Sequence, residues 1–431
     1  MDLPYLTPDF PGIAGSIKQR PEDFYVQELP LYEPTGEGEH VYTEIQKVGI
    51  TTFEAINRIS RALNVSPRGI GYAGMKDAQA VTVQTLSILD TTPEAVMALK
   101  LPGITVRWAI RHGNKLRLGH LKGNRFAVRL RHVNPTDVVK LAPVLKTIEE
   151  RGLPNYFGEQ RFGRRGDNHL MGAAIIRMDA KGLLDQLLGK PMPAVDDPQT
   201  TGARKAFERN DPKLAMKLWP RKSGMERRIL ARFIKTGKPV PAVRAIDERL
   251  RRLWVNAAQS WMFNQVLARR MEAGNFDQLL AGDLAFKHEN GACFMVEDAG
   301  AERPRAAAFE VSPTGPLVGY RMSLPTGDPL AIEEAVMAET GLHPEDFKKE
   351  NGEKVKGARR PLRVKPEDID MSGGVDEHGP QITVAFTLPA GSFATVLLRE
   401  LTKDRVAAQS VDEEETESGA EEVAAPTQRD R

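Results

Sequence analysis

Residues 71–84 read GYAGMKDAQAVTVQ: a glycine-punctuated turn carries Lys76 and Asp77 side by side, and an alternating apolar run follows at once. That alternation predicts a strand directly after the turn. A carboxylate set between two apolar stretches has two uses. It satisfies nearby backbone N–H groups, as turn aspartates commonly do, or it is held there for chemistry. Taken alone, the stretch favours the turn role.

The chain around it reads as mixed strand and helix. Upstream, Phe24, Val26 and Leu29 mark a strand, PTGEGE (34–39) reads as a hairpin turn, and HVYTEIQK (40–47) as its second strand. TTFEAINRISRAL (51–63) spaces Phe53, Ile56, Ile59 and Leu63 as a helix capped by Thr51 or Thr52. TTPEAVMALK (91–100) predicts a short helix with Thr92 as cap and Pro93 at its first position. ITVRWAIRH (104–112) and KLRLGHLKGNRFAVRLRH (115–132) read as strands. In the second, Phe126, Val128 and Leu130 share one face, and Arg125, Arg129 and Arg131 share the other. Residues 203–272 are mostly helical patterns. A helix over 328–341 is expected to use Asp328 as cap, 351–361 reads as a loop, and 381–401 returns to strand, turn and helix.

Charge is unevenly spread. The 431 residues carry a net +2, but 406–431 hold eight acids and two arginines, which leaves +8 on 1–405. The 406–431 tail is expected to be disordered. From Ala95 to Thr136 there are nine Lys/Arg and no acid. Such a one-sign stripe suits a phosphate backbone better than a bare solvated face. His112, His120 and His132 in this region read as exposed or phosphate-facing. No apolar run is long enough for a membrane span. One cysteine, Cys293, leaves no internal disulfide and no CxxC metal site. P-loop, HExxH, EF-hand and GxSxG patterns are missing, and no GxGxxG leads from a strand into a helix, so no metal or cofactor is expected. MDLPYLTPDFPG at the N-terminus has no secretory or organelle-targeting pattern, so the cytoplasm is the expected compartment.

GYAGMKDAQAVTVQ resembles the active-site motif of the TruD family of tRNA pseudouridine synthases, and it has company in the right order. IKQRPEDFYVQE (17–28), GNRF (123–126), NYFGEQRFG (155–163), NAAQSWMFN (256–264), PTGPLVGYRM (313–322), GARRPLRV (357–364) and LPAGSFATVLLREL (388–401) are similar to further family segments. The resemblance covers about residues 14–403.

It implies an α+β fold: a pseudouridine-synthase-type catalytic domain with a mixed/antiparallel sheet, built from 1–153 and 366–405. A mainly helical TruD-specific insertion, 154–365, would interrupt it, and a cleft between the two would hold a folded RNA. By match, Asp77 is the essential catalytic aspartate. Lys18 is its candidate partner, and Lys76 meets it or a phosphate. Phe126 stacks on the base, where most pseudouridine synthases carry tyrosine. Phe24, Phe393 and Asn124 match further substrate-side positions. By charge and order rather than by match, Arg125, Arg129, Arg131 and Arg161 are the expected RNA-backbone contacts, with Arg161, Arg164 and Arg165 either near the rim of the cleft or on a solvated loop. The family needs no cofactor or metal, commonly modifies uridine 13 of tRNA, and here a monomer is the default state. The rival is a non-catalytic RNA-binding or RNA-folding protein on the same fold.

Overall fold

In a computed structural model of the chain, residues 3–348, 354–403 and 406–408 are described. The chain divides into two units, Tyr5–Asn155 with Arg363–Arg431, and Met1–Pro4 with Tyr156–Leu362.

The first unit is built on a ten-stranded mixed sheet. Seven of its strands come from the first third of the chain: β1 (Gly15–Ile17), β2 (Phe24–Pro30), β3 (His40–Val48), β4 (Ile70–Tyr72), β5 (Val81–Leu89), β6 (Ile104–His112) and β7 (Leu121–Arg131). Strands Glu367–Asp376 and Gly379–Pro389 extend the sheet beyond β7, and the order then runs β7-β2-β5-β3-β6. Along this order the pairing is antiparallel except that β2 lies parallel to β5. Direct cross-strand partners share a face. The register therefore sets Glu28, Asn124 and Leu388 in one row, and Val26, Phe126 and Phe386 in the next.

Apolar side chains of β3, β5 and β6 pack against the helix Thr52–Leu63, whose N-cap Thr51 accepts from the Glu54 N–H. The two ends of this unit are tied by Glu400, which is 2% exposed and accepts from the N–H of Leu6 at 2.7 Å.

The second unit is mainly helical. Its 25-residue helix Glu248–Glu272 carries the buried Trp254, Met262 and Phe263. Asn264 on that helix bonds both the N–H and the carbonyl of Phe157, at 2.9 and 3.0 Å. Gln259 donates to Val318 O at 2.7 Å. Three of the sequence segments quoted above are thus joined through one helix. A four-stranded sheet, Cys293–Met295, Leu284–Lys287, Val311–Leu317 and Ala358–Pro361, completes the unit.

Several expectations are corrected. PTGEGE does not close a hairpin, because β5 inserts between β2 and β3 and pairs with both. The helix Gly327–Thr340 has Thr326, not Asp328, at its N-cap position, and Asp328 lies inside its first turn. Within 351–361, Ala358–Pro361 is a strand, since it finds an open edge on Val311–Leu317. Val406–Ala408, placed in the disordered tail, pairs in parallel with β1. Residues 409–431 of that tail lie outside the described residues. Among the described residues, no helix is long and apolar enough to cross a membrane.

Candidate active site

The stretch 73–80 lies between β4 and β5 and belongs to neither ladder. Its backbone groups therefore need partners from elsewhere. Gly71, just before it, packs so closely that a Cβ there would lie 2.3 Å from Leu116 O. The Lys76 N–H donates to Thr52 Oγ1 at 3.0 Å. The carbonyls of Lys76 and Asp77 accept from Lys47 Nζ at 3.3 and 2.9 Å. The Asp77 side chain emerges from this support 18% exposed.

One carboxylate oxygen, Oδ1, accepts the Gln79 N–H at 2.9 Å, so the turn role read from the sequence is present. The other, Oδ2, contacts Lys18 Nζ. Lys18 takes the left-handed conformation, φ 57°, which side chains other than glycine adopt at a cost. From there its ammonium also lies 4.6 Å from the centre of the Phe24 ring. Asp77 is thus held by a turn N–H and a cation. A carboxylate has about four lone-pair sites, so acceptor capacity is left for a substrate.

Phe24 meets Phe126 edge-on at 6.4 Å, and Phe126 stacks on Phe386 at 5.3 Å. Phe126 is 8% exposed, so one ring face is spent on core packing. Asn124 precedes it by two positions on the same face of β7. The glycine of GNRF is required there, because a Cβ on Gly123 would lie 2.3 Å from Leu388 O. Phe393, half-buried, directly precedes the helix Ala394–Thr402. The turn before it is anchored to the start of β7 by the Ala390 N–H on Lys122 O at 3.1 Å.

Lys76 departs from the expectation that it meets a phosphate or Asp77. Its side chain is 6% exposed and turns inward, 2.8 Å from Glu28 Oε2 and 2.8 Å from Asn124 Oδ1. Adjacent side chains point apart, and a buried ammonium needs a counter-charge. Glu28, only 1% exposed, supplies it and also accepts the Thr85 N–H at 3.3 Å. Bonding at Oδ1 leaves the Asn124 amide group as the end free to donate.

The arginines divide. Arg125 is exposed, and Arg129 is half-exposed with Nη1 on Glu22 O at 3.0 Å. Arg131 is 3% exposed and is corrected from RNA contact to structural ion: it bonds Asp23 at 2.6 Å and Asp376 at 2.7 Å. The hydrogen bond to Asp376 leads in raising the Arg131 pKa, and it holds Asp376 down at about 2. Arg161 belongs to the second unit, 5.4 Å over the Phe157 ring. Arg165, expected near a rim, is taken up by Asp167 and Asp196 at 2.9 and 2.6 Å. His112 is buried against Tyr42, ring centres 4.4 Å apart, rather than exposed.

Sequence reasoning missed Glu28, Lys47, Thr52 and Phe386. Glu28 carried a signal: it continues the buried alternation of Phe24 and Val26, and an acid at such a position implies a buried partner. Burial pulls the Lys47 amine from its ordinary 10.5 down to about 8. Among the described residues, no three His, Cys, Asp or Glu side chains are grouped to hold a metal ion.

Comparison with known proteins bears on this geometry. The family model described as tRNA pseudouridine synthase D (TruD) matches residues 1–401. The chain is 46% identical to tRNA pseudouridine synthase D of Geotalea daltonii over 401 residues, 93% of this chain and 99% of that protein. It is 36% identical to the protein of the same name from an Anaeromyxobacter species, over 96% of this chain and 99% of the relative. A crystal structure from Methanosarcina mazei, assigned to TruD, superposes with a TM-score of 0.81 at 30% identity. It covers 94% of this chain and 99% of that one.

Proposed function

This chain belongs to the TruD family of tRNA pseudouridine synthases, and on that premise we propose that it isomerises uridine 13 of tRNA to pseudouridine with Asp77 as the essential carboxylate. The reaction breaks the N1–C1′ bond, turns the uracil, and joins C5 to C1′. The C5 proton leaves and N1 gains one, so the product is an isomer of the substrate. The base must first leave its stack. An ionised carboxylate then attacks C1′ or C6, or takes a proton from the sugar.

The observation that carries this reading is the Lys18–Asp77 pair beside the Phe24–Phe126 pair, in one unit. The ammonium favours the charged carboxylate and holds one of its oxygens. The rings offer an apolar edge to an unstacked base, worth about 1–3 kcal/mol. Phe126 and Phe24 have no basic atom to accept a proton, so removal of the C5 proton falls to Asp77 or water. The Asn124 amide donor suits a uracil carbonyl. Arg125 and Arg129, with Arg161 from the insertion, are the proposed backbone contacts. In this reading 1–153 and 366–405 form the catalytic domain and 154–365 the insertion.

The site of modification is tested with two tRNA transcripts labelled with tritium at uridine C5, one natural and one carrying cytidine at position 13. The proposal requires release of one tritium per natural transcript and none from the other. Equal release from both would assign the activity to another uridine.

A further inference from the structure

We propose that Lys47 is a positioning residue for the reaction: its buried ammonium, seated on three backbone carbonyls, fixes the peptide that presents Asp77. The inference rests on the reading of Asp77 above and adds to it the device that holds this carboxylate in place.

Lys47 lies near the end of β3 and is 0% exposed. Its Nζ donates to Ile50 O at 2.6 Å, Asp77 O at 2.9 Å and Lys76 O at 3.3 Å. An ammonium has three N–H donors and no acceptor, so donors and carbonyls match in number. Two of the three acceptors flank the catalytic peptide, and the third belongs to the turn that leads into the helix Thr52–Leu63. Thr52 at the start of that helix takes the Lys76 N–H, and its hydroxyl in turn donates to Gln84 Oε1 at 2.9 Å. The Lys76–Asp77 segment, which has no ladder of its own, is therefore gripped from below through one N–H and two carbonyls. Lys18 acts differently: it reaches the carboxylate itself.

A methyl-ended side chain would fill the same space. What the cation adds is direction, because all three carbonyls must point at one atom. The charged groups facing it are Asp77, whose charge favours the ammonium, and Lys76, whose charge opposes it. Its strand neighbours are Thr82 on β5 and Ile104 on β6, neither of which is ionisable. A neutral amine keeps two N–H groups and turns a lone pair toward the third carbonyl. Loss of the proton therefore releases one carbonyl and loosens the Asp77 peptide. Burial brings that event down to about pH 8.

The experiment measures single-turnover pseudouridine formation in tRNA, with tRNA affinity measured separately, for the full chain, Lys47→Met and Asp77→Asn. A displacement of about 1 Å in a reacting group costs about 100-fold in rate. Lys47→Met should lose about that much while its tRNA affinity stays unchanged. The unmutated chain should lose rate as pH rises through and above 8, and Lys47→Met should lack this descent. Wild-type rate in Lys47→Met, or loss of rate and affinity together, overturns the positioning role. Should Lys47→Met not fold, the unmutated chain decides alone: a flat profile from pH 7 to 9.5 also overturns it. An active Asp77→Asn overturns the underlying reading instead, so the two failures are told apart.

Discussion

Replacing Glu28 by alanine should loosen the centre of the ten-stranded sheet more than any exposed charge change. Glu28 and Lys76 are 1% and 6% exposed and lie 2.8 Å apart. At an effective dielectric of about 20 that separation corresponds to about 6 kcal/mol of attraction, most of it consumed by desolvation. Glu28→Ala removes the attraction and leaves the Lys76 ammonium desolvated without a counter-charge, which costs about 3–5 kcal/mol. It also strands the Thr85 N–H. Glu28→Gln keeps an acceptor for Thr85 and should cost less, about 2 kcal/mol. Combining Glu28→Gln with Lys76→Met removes both charges and should recover much of the loss. Hydrogen exchange of β2 and β7 amides is the suitable assay, because it reports this unit without assuming that both units unfold together. A loss of about 3 kcal/mol raises the exchange of amides that open with the sheet about 100-fold. Unchanged exchange in Glu28→Ala would show that the Lys76 ammonium needs no counter-charge from Glu28.

Phe126→Leu keeps apolar bulk beside Phe386 but removes the ring, so turnover should drop about 5- to 150-fold with the fold intact; an unchanged rate would assign Phe126 to the core alone. Arg125→Ala should lessen the salt dependence of tRNA binding by about 0.7–0.9 in the logarithmic slope. Arg131→Met should leave that slope untouched and destabilise the sheet by about 3–5 kcal/mol, since it strands Asp23. The reverse pattern in salt titrations would restore Arg131 as an RNA contact. For stability against pH, Lys47 has a folded pKa of about 8, below the ordinary 10.5. The unfolded chain therefore holds more protons between those values, and Lys47 alone makes stability rise by about 3 kcal/mol across that interval. The stability of Lys47→Met relative to the unmutated chain should fall by that amount between pH 7.5 and 10.5, and a constant difference would contradict the assignment.

Much of the sheet was legible because its signals are local. Phe126, Val128 and Leu130 recur at every second position between Arg125, Ala127, Arg129 and Arg131, and all three are buried. Thr51 and Thr92 cap the helices they precede, accepting from Glu54 and Ala95. What failed depended on which strands become neighbours. PTGEGE has the composition of a hairpin turn, yet β5 arrives from forty residues downstream and separates the strands on either side. Between Ala95 and Thr136 the sequence holds no acid, but Arg131 finds Asp23 and Asp376 across the fold. An acid-free window is not an acid-free surface. Lys47 looks like any lysine at a strand end, and nothing local tells that its amine is enclosed by carbonyls. Lys18 was legible only by resemblance, since its contact with Asp77 joins positions 59 residues apart.

The most direct test of the account is the fate of the C5 hydrogen in the presence and absence of the Asp77 carboxylate. Total tRNA labelled with tritium at uridine C5 is incubated with the unmutated chain and with Asp77→Asn, and the affinity of both for tRNA is measured in parallel. The account predicts tritium release by the unmutated chain and none by Asp77→Asn, at equal affinity. Release at comparable rates by both proteins, or by neither, would contradict it.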